Sequence, residues 1–224
     1  MRLTIPQPQL LKNLQTVEHA VNERSTLPIL ANVLLETAGS ELILTATDLD
    51  VGIQCRFPLN QPVEQGSVAL PARKLTTIIR ELPDDVVVLE AKKNHTATVN
   101  CGTSSFRIPG LPAEDFPVLP LMEGAEGIKI PQSLLKNLVT QTSYAMSMEE
   151  MRFILNGALL ATQKNQLIMA ATDGRRLAVA NAPITGGKQA WSVVIPSKTV
   201  RELGRLLQDD PQEVEIVPLK DNQL

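Results

Sequence analysis

One hydrophobic pattern recurs four times along the chain: two alternating apolar residues, a proline, and then apolar residues at helical spacing. Alternation predicts a strand with one buried face, and spacing of three to four residues predicts an amphipathic helix. Proline cannot extend a strand ladder, but its fixed φ suits the first turn of a helix. The strand residues that open the copies are Leu3, Val68, Ile128 and Val193. Each copy therefore predicts a short strand that leads into a helix lying on a sheet.

The elements that follow from this pattern alternate along the chain. The predicted helices are Pro8–Asn22, Ala72–Leu82, Pro131–Ala145 and Ser197–Gln208. The remaining predicted strands are Val33–Glu36, Glu41–Ala46, Val51–Phe57, Val86–Glu90, Ala97–Cys101, Ser105–Ile108, Gly157–Ala161, Gln166–Ala170, Ala178–Ala182 and Glu213–Val217. Because several strands separate successive helices, the sheets should be antiparallel with the helices on one face, an α+β fold.

The chain also contains a longer repeat, each copy of which includes two copies of the short pattern. Shifting the chain by 125 residues aligns Ile29–Leu30 with Ile154–Leu155, and Ala46–Asp48 with Ala171–Asp173. Two domains of one fold follow, each with two helices on antiparallel sheets. We place them at residues 1–122 and 123–224, joined near the proline- and glycine-rich stretch 117–127.

The second copy is shorter than the first. At the same shift Leu224 corresponds to Val99, so nothing in the second half matches Val99–Pro120. We therefore expect the second domain to be truncated, with an exposed edge on its second sheet.

Composition narrows the function classes. The chain has a net charge of −3, few aromatic residues and no apolar stretch long enough to span a membrane. Scarce aromatic residues argue against a protein that stacks single-stranded bases. No secretory signal is recognisable, and Cys55 and Cys101 fit neither a disulfide framework nor a metal-ligand spacing. We expect a cytoplasmic protein with no metal and no cofactor.

Positive charge is concentrated on the predicted helices. They carry eight basic residues, Lys12, Arg73, Lys74, Arg80, Lys136, Lys198, Arg201 and Arg205, against the acidic Glu18, Glu81 and Glu202. A basic helical face on an acidic body is typical of a surface that faces duplex DNA. The alternative is that these charges only solvate the outer faces of the helices. Recurrence at equivalent positions, as with Arg80 and Arg205, favours DNA.

An enzyme is the competing hypothesis. Ser133 and Lys136 fit the S-x-x-K pattern of penicillin-binding acyl enzymes, but the S-D-N and K-T-G motifs of that fold are absent. Ser133 is instead predicted to cap the third helix. Asp48 and Asp173 are equivalent turn residues rather than a catalytic pair. A third hypothesis, a scaffold that binds only proteins, stays open.

Several motifs resemble one family. They are Thr26–Asn32, Thr45–Leu49, Pro71–Lys74, Leu111–Pro117, Leu155–Gly157 and Ala171–Val179. In this order they are similar to the beta subunits of bacterial DNA polymerase III, the sliding clamps. The resemblance implies a non-catalytic processivity factor for DNA replication, whose three-domain protomers close head to tail into a homodimeric ring around double-stranded DNA. It implies helices on the inner wall, sheets on the outer wall, and a third domain absent from this chain.

The resemblance also implies two sites. The residues that match DNA-contacting positions, or are similarly placed, are Arg24, Arg73, Lys74, Arg80, Phe153, Ile154, Lys198 and Arg205. Basic side chains there would pair with phosphates without reading sequence. Relatives typically have two aromatic residues in the loop 147–154, where this chain has Phe153 and Ile154. Glu149 would repel phosphate, and ordinary packing is the alternative role for Phe153 and Ile154.

The second implied site is an outer-surface pocket for short motifs of the replicative polymerase alpha subunit, the clamp loader and other clamp-binding-motif proteins. Its residues here are Leu155, Thr172, Gly174, Arg175, Arg176 and Leu177. An apolar dent rimmed by Thr172 and Arg176 suits such a peptide. The alternative is that Leu155 and Leu177 belong to the core and that residues 172–174 form only a turn at a strand end.

Overall fold

The computed structural model describes residues 1–23, 25–61, 63–120, 127–147, 155–185, 190–219 and 223–224. The chain divides into unit 1, Met1–Leu119, and unit 2, Pro120–Leu224. The predicted domain boundary between residues 122 and 123 lies outside the described residues.

The described residues of unit 1 form two α-helices and eight strands. The helices are α1 (Gln7–Glu18) and α2 (Ala72–Glu81). The strands are β1 (Arg2–Pro6), β2 (Asn32–Ala38), β3 (Glu41–Thr47), β4 (Gly52–Pro58), β5 (Gly66–Pro71), β6 (Val86–Ala91), β7 (Thr96–Cys101) and β8 (Ser104–Pro109). They form two antiparallel sheets, in the orders β1-β6-β7-β8 and β4-β3-β2-β5. The core lies between the sheets and the helices, around fully buried residues such as Leu10, Leu35 and Leu75.

Unit 2 repeats the arrangement. Its helices are α3 (Gln132–Thr142) and α4 (Ser197–Leu206). Its strands are β9 (Ile128–Pro131), β10 (Gly157–Gln163), β11 (Gln166–Thr172), β12 (Leu177–Pro183), β13 (Trp191–Pro196) and β14 (Glu213–Ile216). The sheet orders are β12-β11-β10-β13 and β14-β9. Among the described residues, the second sheet therefore has two strands where that of unit 1 has four.

The predicted fold class, α+β with two repeated units, is confirmed, and every predicted helix and strand is present. The four recurring prolines, which were expected to suit the first turn of a helix, lie one residue before that turn. Each is the last residue of its strand and the N-cap of its helix, with φ between −60° and −55°. Proline thus ends the ladder and turns the chain, and the first helical turn begins at the following residue.

The helix ends show where local patterns fail. The prediction that Ser133 caps α3 is wrong, because Pro131 occupies the N-cap and no side chain caps this helix. The backbone N–H of Ser133 instead donates to the carbonyl of Asp210 at 3.2 Å. At its C-terminal end α3 passes into a 3₁₀ turn, Ser143–Ala145, and α1 ends at Glu18 rather than Asn22.

A glutamine at equivalent positions in the two units links the two helices of each unit by a hydrogen bond. In unit 1 the buried Gln7 donates from Nε2 to the carbonyl of Ile79 at 2.6 Å, so the start of α1 is fixed to the end of α2. In unit 2 the equivalent Gln132 accepts from the backbone N–H of Gln208 at 3.2 Å. This device holds the helices side by side and fixes the faces that they turn to solvent.

The longest helix that the structure describes, α1, has 12 residues. Within the described part of the chain, no helix has the length and apolar character that a membrane span requires. The described residues also contain no group of three His, Cys, Asp or Glu side chains suited to a metal ion.

Candidate functional site

An open groove of about 670 Å³ runs between the helices of unit 1. From α2 it is lined by Arg73, Thr77 and Arg80, which are spaced four and three residues apart and so share one helix face. From α1 and the turn after it come Gln15, Glu18, His19 and Val21. The buried residues of α2, among them Leu75 and Ile79, point the other way, into the core. The pattern that buries one face of α2 therefore leaves its basic residues in solvent.

Arg73 is held by two carboxylates. Its Nη1 lies 2.9 Å from Glu23 Oε2, and its Nε lies 4.0 Å from Glu18 Oε1. All three side chains are accessible to solvent, so these pairs contribute little to stability. They do hold the guanidinium over the groove.

Lys74 and Arg80 are exposed and form no ion pair with any described residue. Arg80 lies in the last turn of α2, and Arg205 lies in the last turn of α4. Cations are favoured there by the unpaired carbonyls of the helix end. The location therefore stabilises the helices and at the same time places positive charge in solvent.

Unit 2 carries an equivalent set of cations on α4. Arg205 Nη1 lies 2.7 Å from Oε1 of Glu202, whose side chain is largely buried. Arg201 donates to the Ser197 carbonyl and hydroxyl at 3.2 and 3.0 Å, so it is fixed along its own helix. Lys198 is half-buried at the start of α4. A carboxylate thus accompanies an arginine at corresponding helix pairs in both units.

Three of the predicted DNA-contacting residues, Arg24, Phe153 and Ile154, lie outside the described residues, as does Glu149. The other five are Arg73, Lys74, Arg80, Lys198 and Arg205. They lie on α2 and α4, on the sides that do not face the cores.

The second predicted site is the turn between β11 and β12. Thr172 Oγ1 donates to the Arg176 carbonyl at 2.7 Å and accepts from the Gly174 N–H at 3.0 Å. Asp173 Oδ1 accepts from the N–H groups of Arg175 and Arg176 at 2.9 and 3.0 Å. These backbone hydrogen bonds, and then the Arg176 guanidinium, lower the pKa of Asp173. The turn is therefore built around an ionised carboxylate.

The side chains on this turn point outward. Leu177 is 67% exposed, which rules out the alternative that it belongs to the core. Leu155 is half-buried, and its carbonyl accepts from the N–H of Ser147 at 3.0 Å. Arg176 is exposed and its Nε lies 3.0 Å from Asp173 Oδ2, so the guanidinium is oriented by the turn itself.

Sequence reasoning missed Tyr144. This residue, the one tyrosine of the chain, lies in the 3₁₀ turn after α3 and is 61% exposed. The Arg176 guanidinium carbon lies 5.6 Å from the centroid of its ring, a cation–π distance. The signal available in the sequence was an aromatic residue at the end of the predicted helix Pro131–Ala145. That signal did not indicate the contact with Arg176, which is 32 residues away in the sequence.

Comparison with known proteins identifies relatives across both units. Residues 1–120 match the family "DNA polymerase III beta subunit, N-terminal domain", and residues 129–224 match "DNA polymerase III beta subunit, central domain". The chain is 41% identical over 219 residues to the beta sliding clamp of Pseudomonas putida. That alignment covers 97% of this chain and 59% of the relative.

Solved structures show the same likeness. The DNA polymerase III subunit beta of Pseudomonas aeruginosa superposes with a TM-score of 0.91 at 39% identity, covering 97% of this chain and 59% of that one. The DNA polymerase sliding clamp of Bacillus subtilis superposes with a TM-score of 0.92 at 32% identity, covering 98% and 60%. This chain thus spans about three fifths of the length of the relatives that it matches.

Proposed function

The chain belongs to the family of the DNA polymerase III beta subunit, and from this membership we propose that it acts in a DNA sliding clamp. Such a clamp is a non-catalytic processivity factor. It encircles duplex DNA as a head-to-tail homodimeric ring and keeps the replicative polymerase on its template. The two units would form part of one protomer, and the protein would act on chromosomal DNA in the bacterial cytoplasm.

The observation that carries the proposal is the repeated basic face on α2 and α4. Arg73 and Lys198 stand at equivalent positions, as do Arg80 and Arg205. Two units that turn the same charge pattern to solvent suit a regular, double-stranded polyanion better than they suit a compact anionic ligand. Lysine and arginine on rigid helices reach phosphate oxygens but not base edges, so binding would be independent of sequence.

The ion pairs of Arg73 and Arg205 favour weak contacts between these arginines and DNA phosphates. Each arginine would exchange a carboxylate for a phosphate when DNA arrives, so part of the attraction is offset by the pair that is lost. Weak, exchangeable contacts suit a protein that must slide. Glu18 and Glu202 would also keep phosphate from settling at one position on the helix face.

We propose further that the turn between β11 and β12 forms part of the pocket for clamp-binding peptides of the polymerase alpha subunit, the clamp loader and other partners. The exposed Leu177 and the half-buried Leu155 offer apolar surface. Arg176, oriented by Asp173 and Tyr144, would meet a peptide carboxylate or carbonyl. Thr172, Gly174 and Arg175 would shape the rim.

Duplex binding tests the clamp proposal. The double variant Lys74→Gln, Arg80→Gln removes two cations that have no ion pair within the described structure. Fluorescence anisotropy at low salt should show that the double variant binds a labelled duplex about tenfold more weakly than the unchanged protein does. The slope of log K against log salt should fall by roughly 1.8, since each phosphate contact contributes about 0.9. Two duplexes of unrelated sequence should behave alike.

The matched control is Lys93→Gln, Arg107→Gln, which removes the same charge from exposed positions of the β6–β7 turn and β8. It should leave the affinity and the salt slope nearly unchanged. Equal losses in the two double variants would mean that only net charge matters, and the assignment of α2 as the DNA-facing surface would be wrong.

A further inference from the structure

The groove between α1 and α2 has two distinct ends, because the helices run antiparallel. Gln7, the first residue of α1, donates to the carbonyl of Ile79 near the end of α2. At the other end Glu18, the last residue of α1, lies beside Arg73 in the first turn of α2. Arg73 and Arg80 line the groove seven residues apart, which is about 10 Å along the helix axis. Each arginine therefore belongs to a different end of the groove.

The two ends differ in charge. At the end with Arg73, the carboxylate of Glu23 lies 2.9 Å from Nη1 and that of Glu18 lies 4.0 Å from Nε. Two carboxylates face one guanidinium there, so these three side chains together carry an excess of negative charge. At the opposite end Arg80 forms no ion pair with any described residue. A phosphate is therefore attracted to the end with Arg80 more strongly than to the end with Arg73.

His19 lies at the same end of the groove as Arg73. It directly follows Glu18 as the C-cap of α1, its side chain lines the groove, and the residue is exposed. The carbonyls at the end of a helix favour a cation at this position. Imidazole is also the side chain whose charge ordinarily changes between about pH 5 and 8. A proton on His19 would cancel the excess negative charge beside Arg73.

The other charged groups around His19 keep their charges near neutral pH. They are Glu18 on α1, Glu23 in the loop after α1, and Arg73 and Arg80 on α2. Above about pH 5.5 an ordinary carboxylate stays ionised, and a guanidinium stays charged throughout. Among the described residues that line the groove, none belongs to the strands beneath α1. His19 is therefore the member of this set that exchanges a proton with solvent in the neutral range.

We propose that His19 binds a phosphate of duplex DNA as an imidazolium, so that the chain takes up one proton from solvent when it binds DNA. The protonated ring donates to a phosphate oxygen at the end of the groove where Arg73 lies. With two cations against two carboxylates, this end no longer repels the phosphate. Duplex affinity therefore rises as the pH falls through the range in which imidazole titrates. The inference rests on the proposed duplex binding and extends it with a residue that no sequence motif indicated.

Anisotropy of a labelled duplex at low salt, measured at about pH 5.5 and about pH 8, tests the inference. The unchanged chain should bind about fivefold more tightly at the lower pH, the size of effect expected for one solvent-exposed charge pair. Its slope of log K against log salt should be steeper there by roughly 0.9, the contribution of one phosphate contact. A hydrogen bond from a neutral His19 would change neither quantity with pH.

Two substitutions at His19 separate charge from hydrogen bonding. His19→Gln keeps an N–H donor but cannot take up a proton, so its affinity and salt slope should be nearly equal at the two pH values. His19→Lys is charged at both pH values. At the higher pH it should therefore bind about as tightly as the unchanged chain does at the lower pH. A histidine that only supports the fold would not be replaced by lysine in this way.

His95→Asn is the matched control, since the chain has two histidines and His95 lies in the turn between β6 and β7. The φ of His95 is 59°, a region that asparagine tolerates. This variant should keep the whole gain in affinity at the lower pH, and circular dichroism should show that all three variants are folded at both pH values. A gain that persists in His19→Gln, or one that disappears in His95→Asn, would overturn the inference.

The outcomes separate this inference from the clamp proposal. Duplex binding that weakens in the double variant Lys74→Gln, Arg80→Gln but does not change with pH would overturn only the role of His19. Absence of duplex binding at both pH values would overturn the clamp proposal, and the role of His19 with it.

Discussion

The turns that follow β3 and β11 share their hydrogen bonds and differ in what they present to solvent. In unit 1 Thr47 Oγ1 accepts from Leu49 N–H at 3.0 Å, and Asp48 Oδ1 accepts from Val51 N–H at 2.7 Å. In unit 2 Thr172 and Asp173 make the corresponding bonds at the two equivalent positions, each at 3.0 Å. The Thr-Asp pair is therefore the scaffold of the turn in both units.

The side chains that follow this scaffold differ in their exposure between the two turns. Val51 is buried and Gly52 lies beneath Leu119, whereas the equivalent Arg176 and Leu177 are exposed. In unit 1 residues of the same chain lie over this part of the surface, and among the described residues of unit 2 an arginine and a leucine stand exposed at the equivalent positions. The comparison shows that a change of side chains on one turn scaffold separates a buried surface from a candidate binding surface.

The largest contrast is expected between two equivalent leucines. Leu34→Ala should destabilise unit 1 by about 3 kcal/mol, because it opens a cavity beneath Phe116. Leu159→Ala should destabilise unit 2 by less than about 1 kcal/mol, because its side chain is already partly in solvent. Unfolding of the two units can be followed separately, because both cysteines lie in unit 1 and the one tryptophan, Trp191, lies in unit 2.

Urea unfolding should be followed by the alkylation of Cys101, whose side chain is buried, and by Trp191 fluorescence. Burial raises the pKa of the Cys101 thiol, so alkylation in the folded state is slow and reports unfolding. Similar losses in both units would mean that the side chain of Leu159 is as buried in solution as that of Leu34, against their exposures of 38% and 8%.

A smaller effect is expected at the left-handed position of each turn. Leu49 has φ 80° and Gly174 has φ 88°, so unit 1 holds a leucine where unit 2 has glycine. Gly174→Leu should destabilise unit 2 by about 1 kcal/mol, since a side chain is strained in this region. Leu49→Gly should stabilise unit 1 by less than that, because the greater freedom of glycine in the unfolded chain offsets part of the relief.

Thermal unfolding measures both changes. Gly204→Ala is the control, because Gly204 lies within α4 and an added Cβ meets only Val139 Cγ1 at an ordinary 3.5 Å. It should stabilise unit 2 by up to about 1 kcal/mol through helix propensity. If Gly174→Leu were stabilising as well, strain at this turn would not distinguish the two units.

The elements of this fold could be predicted from the sequence because their signals are local. Alternation over five to seven residues identified the strands, and apolar spacing identified the four helices. The cap predicted at Ser133 failed because the preceding strand runs to Pro131, which leaves no free N-cap for a side chain to occupy. That competition between strand and cap is invisible to a pattern read one segment at a time.

The candidate sites were predictable only in part, for a physical reason of the same kind. Exposed cations on α2 follow from the helical period, but the ion pair of Arg73 joins residues 50 positions apart. The contact of Arg176 with Tyr144 and the burial of Phe116 on Leu34 are also tertiary. The motif 111–117 signalled a family resemblance, but only the packed structure shows that it covers a sheet.

The smallest expected effect concerns the acid end of the pH range and the turn of unit 2. Because backbone hydrogen bonds lower the pKa of Asp173 in the folded chain, its carboxylate stabilises the turn at pH values above its ordinary pKa. That contribution is lost as the pH falls through the lowered value, when the protonated carboxyl stops accepting from Arg175 and Arg176. Carboxyl chemical shifts should therefore titrate for Asp173 at a lower pH than for an unstructured aspartate, and the amide of Arg176 should shift in the same step. Asp173→Asn should abolish that step in the Arg176 amide while keeping an acceptor oxygen in the turn. A titration midpoint at or above the ordinary value would mean that the turn does not hold the ionised carboxylate, and the orientation of Arg176 beside Leu177 would then need another cause.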